Sequence, residues 1–181
     1  MEFKLLTVAV AAATLAVTAV GAHAHGPTRQ KISEKIIINA PPDKVWAVVS
    51  NFQDGSWIPV VATTEGTGGN AAGAKRTLTL KNGATVKEEV AKLEPEKMTL
   101  MYRIDEVDVK VLPVTNYSSW LVVTPAEGGA KSEVEWRGAF YRGYPNNDPP
   151  PELDDQAAIN AVTGLYKAGL DSLKKKIEGG S

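Results

Sequence analysis

Six apolar residues near the end of the chain, Ile159, Val162, Tyr166, Leu170, Leu173 and Ile177, recur three or four positions apart. On an α-helix that spacing lines them up as one stripe, and a helix with such a stripe must bury it against another apolar surface. The spacing predicts a long helix over residues 152–178. Glu152, Asp154 and Asp155 fall at its start and Lys174, Lys175 and Lys176 at its end, the arrangement the helix dipole favours. Gly164 and Gly169 lie inside it. A helical glycine costs about 1 kcal/mol relative to alanine, so the pair points to close approach, to open space beside the helix, or simply to tolerated substitutions.

The stripe's partner is supplied by the rest of the chain, which reads as strands. Residues 31–40 are rich in isoleucine and are stopped by Pro41-Pro42-Asp43. A short amphipathic helix follows, carrying Val45, Trp46, Val48, Val49 and Phe52, with a second helical turn expected over 54–60. Segments 75–81 and 85–93 flank Asn82-Gly83, which reads as a two-residue hairpin turn with positive φ at both positions. Segments 98–104, 117–124 and 132–141 complete the clear strands, and 60–66 and 107–112 are weaker candidates. In 132–141, Val134, Trp136, Gly138 and Phe140 alternate with Glu133, Glu135, Arg137 and Tyr141, as in an antiparallel sheet covered on one face. Strands in a run with helices kept apart imply an α+β fold. The expected architecture is a helix grip: a curved antiparallel sheet around one long C-terminal helix, with short helices after the first strand. A strongly curved sheet cannot touch a straight helix along its whole length, so a cavity is expected between them.

The N-terminus has a different character. Residues 5–20, LLTVAVAAATLAVTAV, are free of charge, follow Lys4, and lead to the small-x-small pattern Ala22-His23-Ala24. This is the anatomy of a Sec-type secretory signal peptide, and the apolar stretch is short for a bilayer span of about 20 residues. The reading divides the chain into a signal peptide, 1–24, and one domain, 25–181, working in the periplasm; cleavage after Ala22 is the alternative. That alternative would expose His23-Ala24-His25, an amino-terminal pattern able to chelate copper(II) or nickel(II).

Composition narrows the chemistry. The formal net charge of −1 supplies no basic field for nucleic acid. The chain has no cysteine, and its two histidines, His23 and His25, both sit at the signal boundary. Thiolate catalysis, disulfides and histidine-based triads are therefore excluded from the folded body. This argues for a non-catalytic protein with no metal or organic cofactor. Asp105, Glu106 and Asp108 read as a solvated edge. Glu133, Glu135 and Arg137 read as a solvent-side ladder, with a cavity-facing Arg137 that binds an anion as the sharper alternative.

Ala40-Pro41-Pro42-Asp43-Lys44-Val45-Trp46, in its setting between a first strand and a hairpin-rich sheet, resembles the SRPBCC, or START/polyketide-cyclase-like, superfamily across residues 31–178. Further segments are similar to the MxaD family of periplasmic accessory proteins of bacterial methanol oxidation. They are Asn51-Phe52-Gln53-Asp54, residues 64–70 (TEGTGGN), 75–80 (KRTLTL), 132–143 (SEVEWRGAFYRG) and 146–151 (NNDPPP). Relatives often carry histidine after the tryptophan, where this chain has Ile58 following Trp57. The resemblance implies a role beside methanol dehydrogenase and its cytochrome c partner, without the quinone or haem residing on this chain. Carriage of an apolar small molecule or lipid in the sheet–helix cavity is an alternative, and a cyclase- or hydrolase-like enzyme a further one.

The candidate cavity-lining residues are Trp57, Leu100, Tyr102, Trp120, Trp136, Phe140, Val162 and Tyr166. The run Phe140-Tyr141-Arg142-Gly143-Tyr144-Pro145 mixes aromatics with arginine, a combination favoured at protein interfaces. Tyr141, Arg142, Tyr144, Asn146, Asn147 and Asp148 are therefore candidates for a partner surface; the bland reading is a loop packed over the end of the long helix.

Overall fold

The computed structural model describes residues 26–179. The segment expected to be a signal peptide, both expected cleavage positions and the His23-Ala24-His25 motif lie outside the described residues. Strand β1 (Gln30–Ile38) is followed by helix α1 (Pro42–Val49) and strands β2 (Val61–Thr67), β3 (Lys75–Leu80), β4 (Thr85–Glu94), β5 (Thr99–Val107), β6 (Val114–Ala126) and β7 (Lys131–Arg142). Helix α2 (Asp155–Glu178) closes the chain. The strands form one seven-stranded antiparallel sheet in the order β1-β7-β6-β5-β4-β3-β2. The sheet curves around α2, which is the helix-grip arrangement. Among the described residues, no helix is long and apolar enough to cross a membrane.

Helix α2 begins three residues later than its sequence suggests. A 3-10 turn over Pro151–Leu153 precedes it, and Asp154 caps it, accepting a hydrogen bond from the Ala157 amide at 2.7 Å. The cap satisfies an amide that would otherwise lack a partner and so places the helix start. Its buried stripe is Ala158, Val162, Tyr166, Gly169, Leu170, Leu173 and Ile177, with Ile159 only half-buried beside it. The C-terminal lysines do more than face the dipole. Lys174 donates to the Ile37 carbonyl at 2.8 Å, and Lys176 reaches Ser56 Oγ at 2.7 Å.

Three further local expectations are corrected. Residues 54–60 form a chain of turns and no second helical turn, held by bonds such as Ile58 N–H to the Gly55 carbonyl at 2.9 Å. Segment 107–112 is no strand of its own. Val107 ends β5, and Asp108 then turns the chain, its carbonyl accepting from Val111 at 2.8 Å and Leu112 at 3.1 Å. The apolar alternation Val107, Val109, Val111 imitates a strand there. The β3–β4 connection is a four-residue loop, 81–84, with only Gly83 at positive φ (86°), and Leu78 opposite Val86. A two-residue turn would slip the register by one and set apolar side chains opposite polar ones, so burial of one face selects the longer loop.

The two glycines of α2 have different reasons. A Cβ on Gly169 would lie 2.5 Å from the Trp136 ring, whereas one on Gly164 meets nothing within 4 Å. Gly169→Ala is expected to lower stability by about 1–3 kcal/mol through overpacking. Gly164→Ala is expected to raise it by up to about 1 kcal/mol through helix propensity. Urea unfolding of the two variants should give midpoints on opposite sides of the wild type; two shifts of the same sign would contradict the packing.

Candidate ligand-binding site

Helix α2 packs against β1 and β7, at one side of the sheet. Strands β3, β4 and β5 curve past it, and the space left over is a cavity of about 480 Å³, well within the range of small-molecule sites. Its sheet wall is made by Leu78, Val86, Glu88, Tyr102, Tyr117 and Trp136, and its helix wall by Ala161, Gly164, Leu165 and Ala168. Turn residues Ile58, Pro59 and Val60, together with Val111 and Leu112, add to the lining. Gly164 and Leu165 each lie three or four positions from Ala161 and Ala168, so the four share one face beside the packed stripe. Three of them are glycine or alanine, which leaves the space open.

The wall is almost wholly apolar. Of its lining residues only Lys81, exposed in the β3–β4 loop, and Glu88, 5% exposed, carry charge. Glu88 lies opposite Arg76 across β3 and β4, and Arg76 Nε donates to Glu88 Oε2 at 2.6 Å. Arg76 also donates from Nη1 to the Phe52 carbonyl at 3.0 Å, and its guanidinium lies over the Phe52 ring at 4.2 Å. Burial pushes the Glu88 carboxyl above the usual carboxylate range, and the neighbouring Arg76 only partly offsets this.

Beside the pair lies a second buried polar group. Trp136 Nε1 donates to Ser119 Oγ at 2.9 Å and to Tyr102 Oη at 3.1 Å. Ser119 Oγ lies 3.0 Å from Tyr166 Oη, which in turn lies 2.6 Å from Tyr117 Oη. Gly138 makes room for this cluster, because a Cβ there would occupy the place of the Tyr166 hydroxyl. Burial raises Tyr102 to about 12, and raises Tyr117 and Tyr166 as well, so all three remain neutral hydroxyls at physiological pH. The site can therefore dissolve an apolar molecule and offer it one carboxyl.

Of the residues singled out from the sequence, Tyr102 and Trp136 line the cavity. Trp57, Leu100, Phe140, Val162 and Tyr166 are buried but pack into the core behind the wall. Trp57 lies against Trp136 at 5.2 Å between ring centroids, and Phe140 against Tyr117 at 6.1 Å. Trp120 is on the opposite face of the sheet. Its neighbours Ser119 and Leu121 point inward, so strand alternation sends Trp120 outward, opposite Arg137, whose guanidinium lies 5.8 Å from its ring. Arg137 is thus solvent-facing and does not enter the cavity.

The 141–148 segment is also sorted by the structure. Tyr141 and Tyr144 are half-buried, and Asn146, Asn147 and Asp148 are exposed. Arg142 is no surface anchor: it is 5% exposed and ties the loop to α2, donating to the Tyr144 carbonyl at 2.8 Å, the Asn146 carbonyl at 2.7 Å and Asp155 Oδ2 at 3.1 Å. Arg142 therefore packs this loop over the start of the helix. The acidic run is a solvated edge, with Asp105 near Lys75 at 3.5 Å and Glu106 bound to Lys87 at 2.7 Å.

Arg76 and Glu88 did not emerge from the sequence reading, although a signal was available. Glu88 sits between Val86 and Val90, and Arg76 two residues before Leu78, each at the strand period and hence on the apolar face.

The fold is shared with known proteins. The sequence profile of the family described as polyketide cyclase/dehydrase and lipid transport matches residues 29–178. The chain belongs to this family. No functionally curated protein matches it. Among solved structures, an uncharacterised protein from Bacillus thuringiensis is similar, with 26% identity, a TM-score of 0.69, and coverage of 82% of this chain and 98% of that one. The protein XoxI from Bacillus cereus is similar at 27% identity and a TM-score of 0.68, over 81% of this chain and 94% of its own. Norcoclaurine synthase from Thalictrum flavum shares the polyketide cyclase/dehydrase fold at 18% identity and a TM-score of 0.63, over 90% and 97% of the two chains.

Proposed function

We propose that this protein binds an apolar small molecule between its sheet and its long helix, as a carrier or binding module and not as an enzyme. The apolar cavity of about 480 Å³ carries this reading. Its polar groups have partners in the protein: Glu88 is held through one oxygen by Arg76, and the Tyr117 hydroxyl is paired with that of Tyr166 behind the wall. The folded body also lacks histidine and cysteine, the commonest general base and the strongest side-chain nucleophile. Gly164→Phe tests the proposal. Position 164 is exposed and lines the cavity, so the new ring should obstruct the space without unfolding the protein. N-phenyl-1-naphthylamine, a neutral apolar fluorophore, is expected to bind the wild type and to bind Gly164→Phe at least about tenfold more weakly, the scale of a lost apolar contact. Equal binding to both proteins would reject the cavity as the site.

A second reading sets this binding protein in the periplasm as an accessory of methanol oxidation, assisting methanol dehydrogenase and its cytochrome c. It is supported by the resemblance of segments 64–70, 132–143 and 146–151 to the MxaD family and by the signal-like N-terminus. Electron transfer from a methanol dehydrogenase to its cytochrome c should then accelerate when the protein is added. A rate independent of it, or recovery of the unprocessed protein from the cytoplasmic fraction, would remove this role.

A further inference from the structure

We propose that the cavity selects apolar molecules carrying a neutral hydroxyl, an alcohol or a phenol, whose proton is accepted by the free oxygen of Glu88. This rests on the ligand-binding reading above and names the chemical class of the ligand. Glu88 is 5% exposed and forms part of the cavity wall, so it is a polar side chain turned into an apolar space. Arg76 engages its Oε2 at 2.6 Å, and among the described residues Oε1 has no hydrogen-bond partner. The cation itself is withdrawn. Arg76 is absent from the wall, donates to the Phe52 carbonyl, and is covered by the Phe52 ring. The hydroxyl oxygens nearby already have partners: Tyr102 Oη accepts from Trp136, with its own proton donated to no acceptor among the described residues, and Tyr117 Oη is paired with Tyr166 Oη.

What remains is an acceptor without a donor. A pure hydrocarbon would strip water from Oε1 and return nothing for it. A carboxylate would bring a second negative charge beside Glu88, with the arginine already committed. A hydroxyl supplies the missing proton and adds no charge, and a site built around such a bond discriminates against the analogue that lacks it. One competing orientation exists. Lys81 is exposed among the lining residues, and an anionic amphiphile could enter tail first and leave its head there.

Displacement of N-phenyl-1-naphthylamine by decan-1-ol, by its methyl ether and by decanoate separates these cases. The wild type is expected to favour the alcohol over both other compounds by about tenfold or more, the scale of one buried hydrogen bond. In Glu88→Gln the amide oxygen can still accept from Arg76 while the amide nitrogen faces the cavity; alcohol and ether oxygens can both accept from it, so the preference for the alcohol should disappear. If that variant does not fold, the wild-type series alone decides. An ether that binds as well as the alcohol would overturn the proposal while leaving ligand binding intact. Decanoate binding as tightly as the alcohol, and weakened by Lys81→Met, would show the tail-first orientation and overturn it too. Failure of the fluorophore and all three compounds to bind would defeat the ligand-binding reading together with this one.

Discussion

Arg76→Ala is expected to destabilise the protein by about 3–5 kcal/mol near neutral pH, because it leaves Glu88 as a buried charge without a partner. Both residues are only 5% exposed in the intact protein, and 2.6 Å separates Arg76 Nε from Glu88 Oε2. The pH dependence has a definite sign. Burial already raises the Glu88 carboxyl above its ordinary value, and removal of the cation raises it further. A carboxyl whose folded pKa is raised favours the fold when protonated. That contribution is fully present below the unfolded pKa and is lost as pH rises through the folded one. The damage from Arg76→Ala should therefore be smaller at about pH 5 than at about pH 8, and denaturant unfolding at the two values measures it. Replacing both partners by Met and Leu should recover most of the stability, since apolar pairs often match buried ion pairs. A loss below about 1 kcal/mol, or one that does not change with pH, would mean that Glu88 reaches water by some other route.

Trp136→Ala should be comparably severe, at about 3–5 kcal/mol, the range for truncating a large buried aromatic. Trp136 is 1% exposed, stacks on Tyr166 at 4.5 Å between centroids, and holds Tyr102 and Ser119 through its indole N–H. It also forms part of the cavity wall, so its loss should merge new volume with the existing space. Trp136→Phe keeps the ring stacking but abandons the two acceptors, and is expected to cost about 1–3 kcal/mol. Guanidinium unfolding would order the three proteins wild type, Phe, Ala. Near-equal losses for Phe and Ala would assign the residue's importance to its N–H and not to its volume.

The helix grip was legible because its signals are periodic. The stripe on α2 and the alternation in β7 each repeat often enough to survive local errors, and burying one requires the other. Boundaries were less legible where chemistry competes with period. Asp154 caps α2 after the expected start, and Asp108 turns a chain whose valines alternate like a strand. For the site, the sequence grouped Tyr102 and Trp136, which the structure places in the cavity wall, with residues that are buried elsewhere and with Trp120 on the outer face. Inward orientation is a property of strand period. Facing empty space depends on which inward side chains the helix fails to cover.

By itself, then, the sequence determined the strand-rich α+β architecture, the existence of a long buried helix and the absence of histidine and cysteine from the body. Those follow from spacing and composition, which are one-dimensional. The tertiary structure decided which face Trp120 takes, that Arg142 is a buried tie, and that Arg76 and Glu88 meet across the β3–β4 hairpin to place a carboxyl in the cavity wall. Each depends on register and on where a straight helix leaves a curved sheet, and contacts between residues far apart in the chain set both.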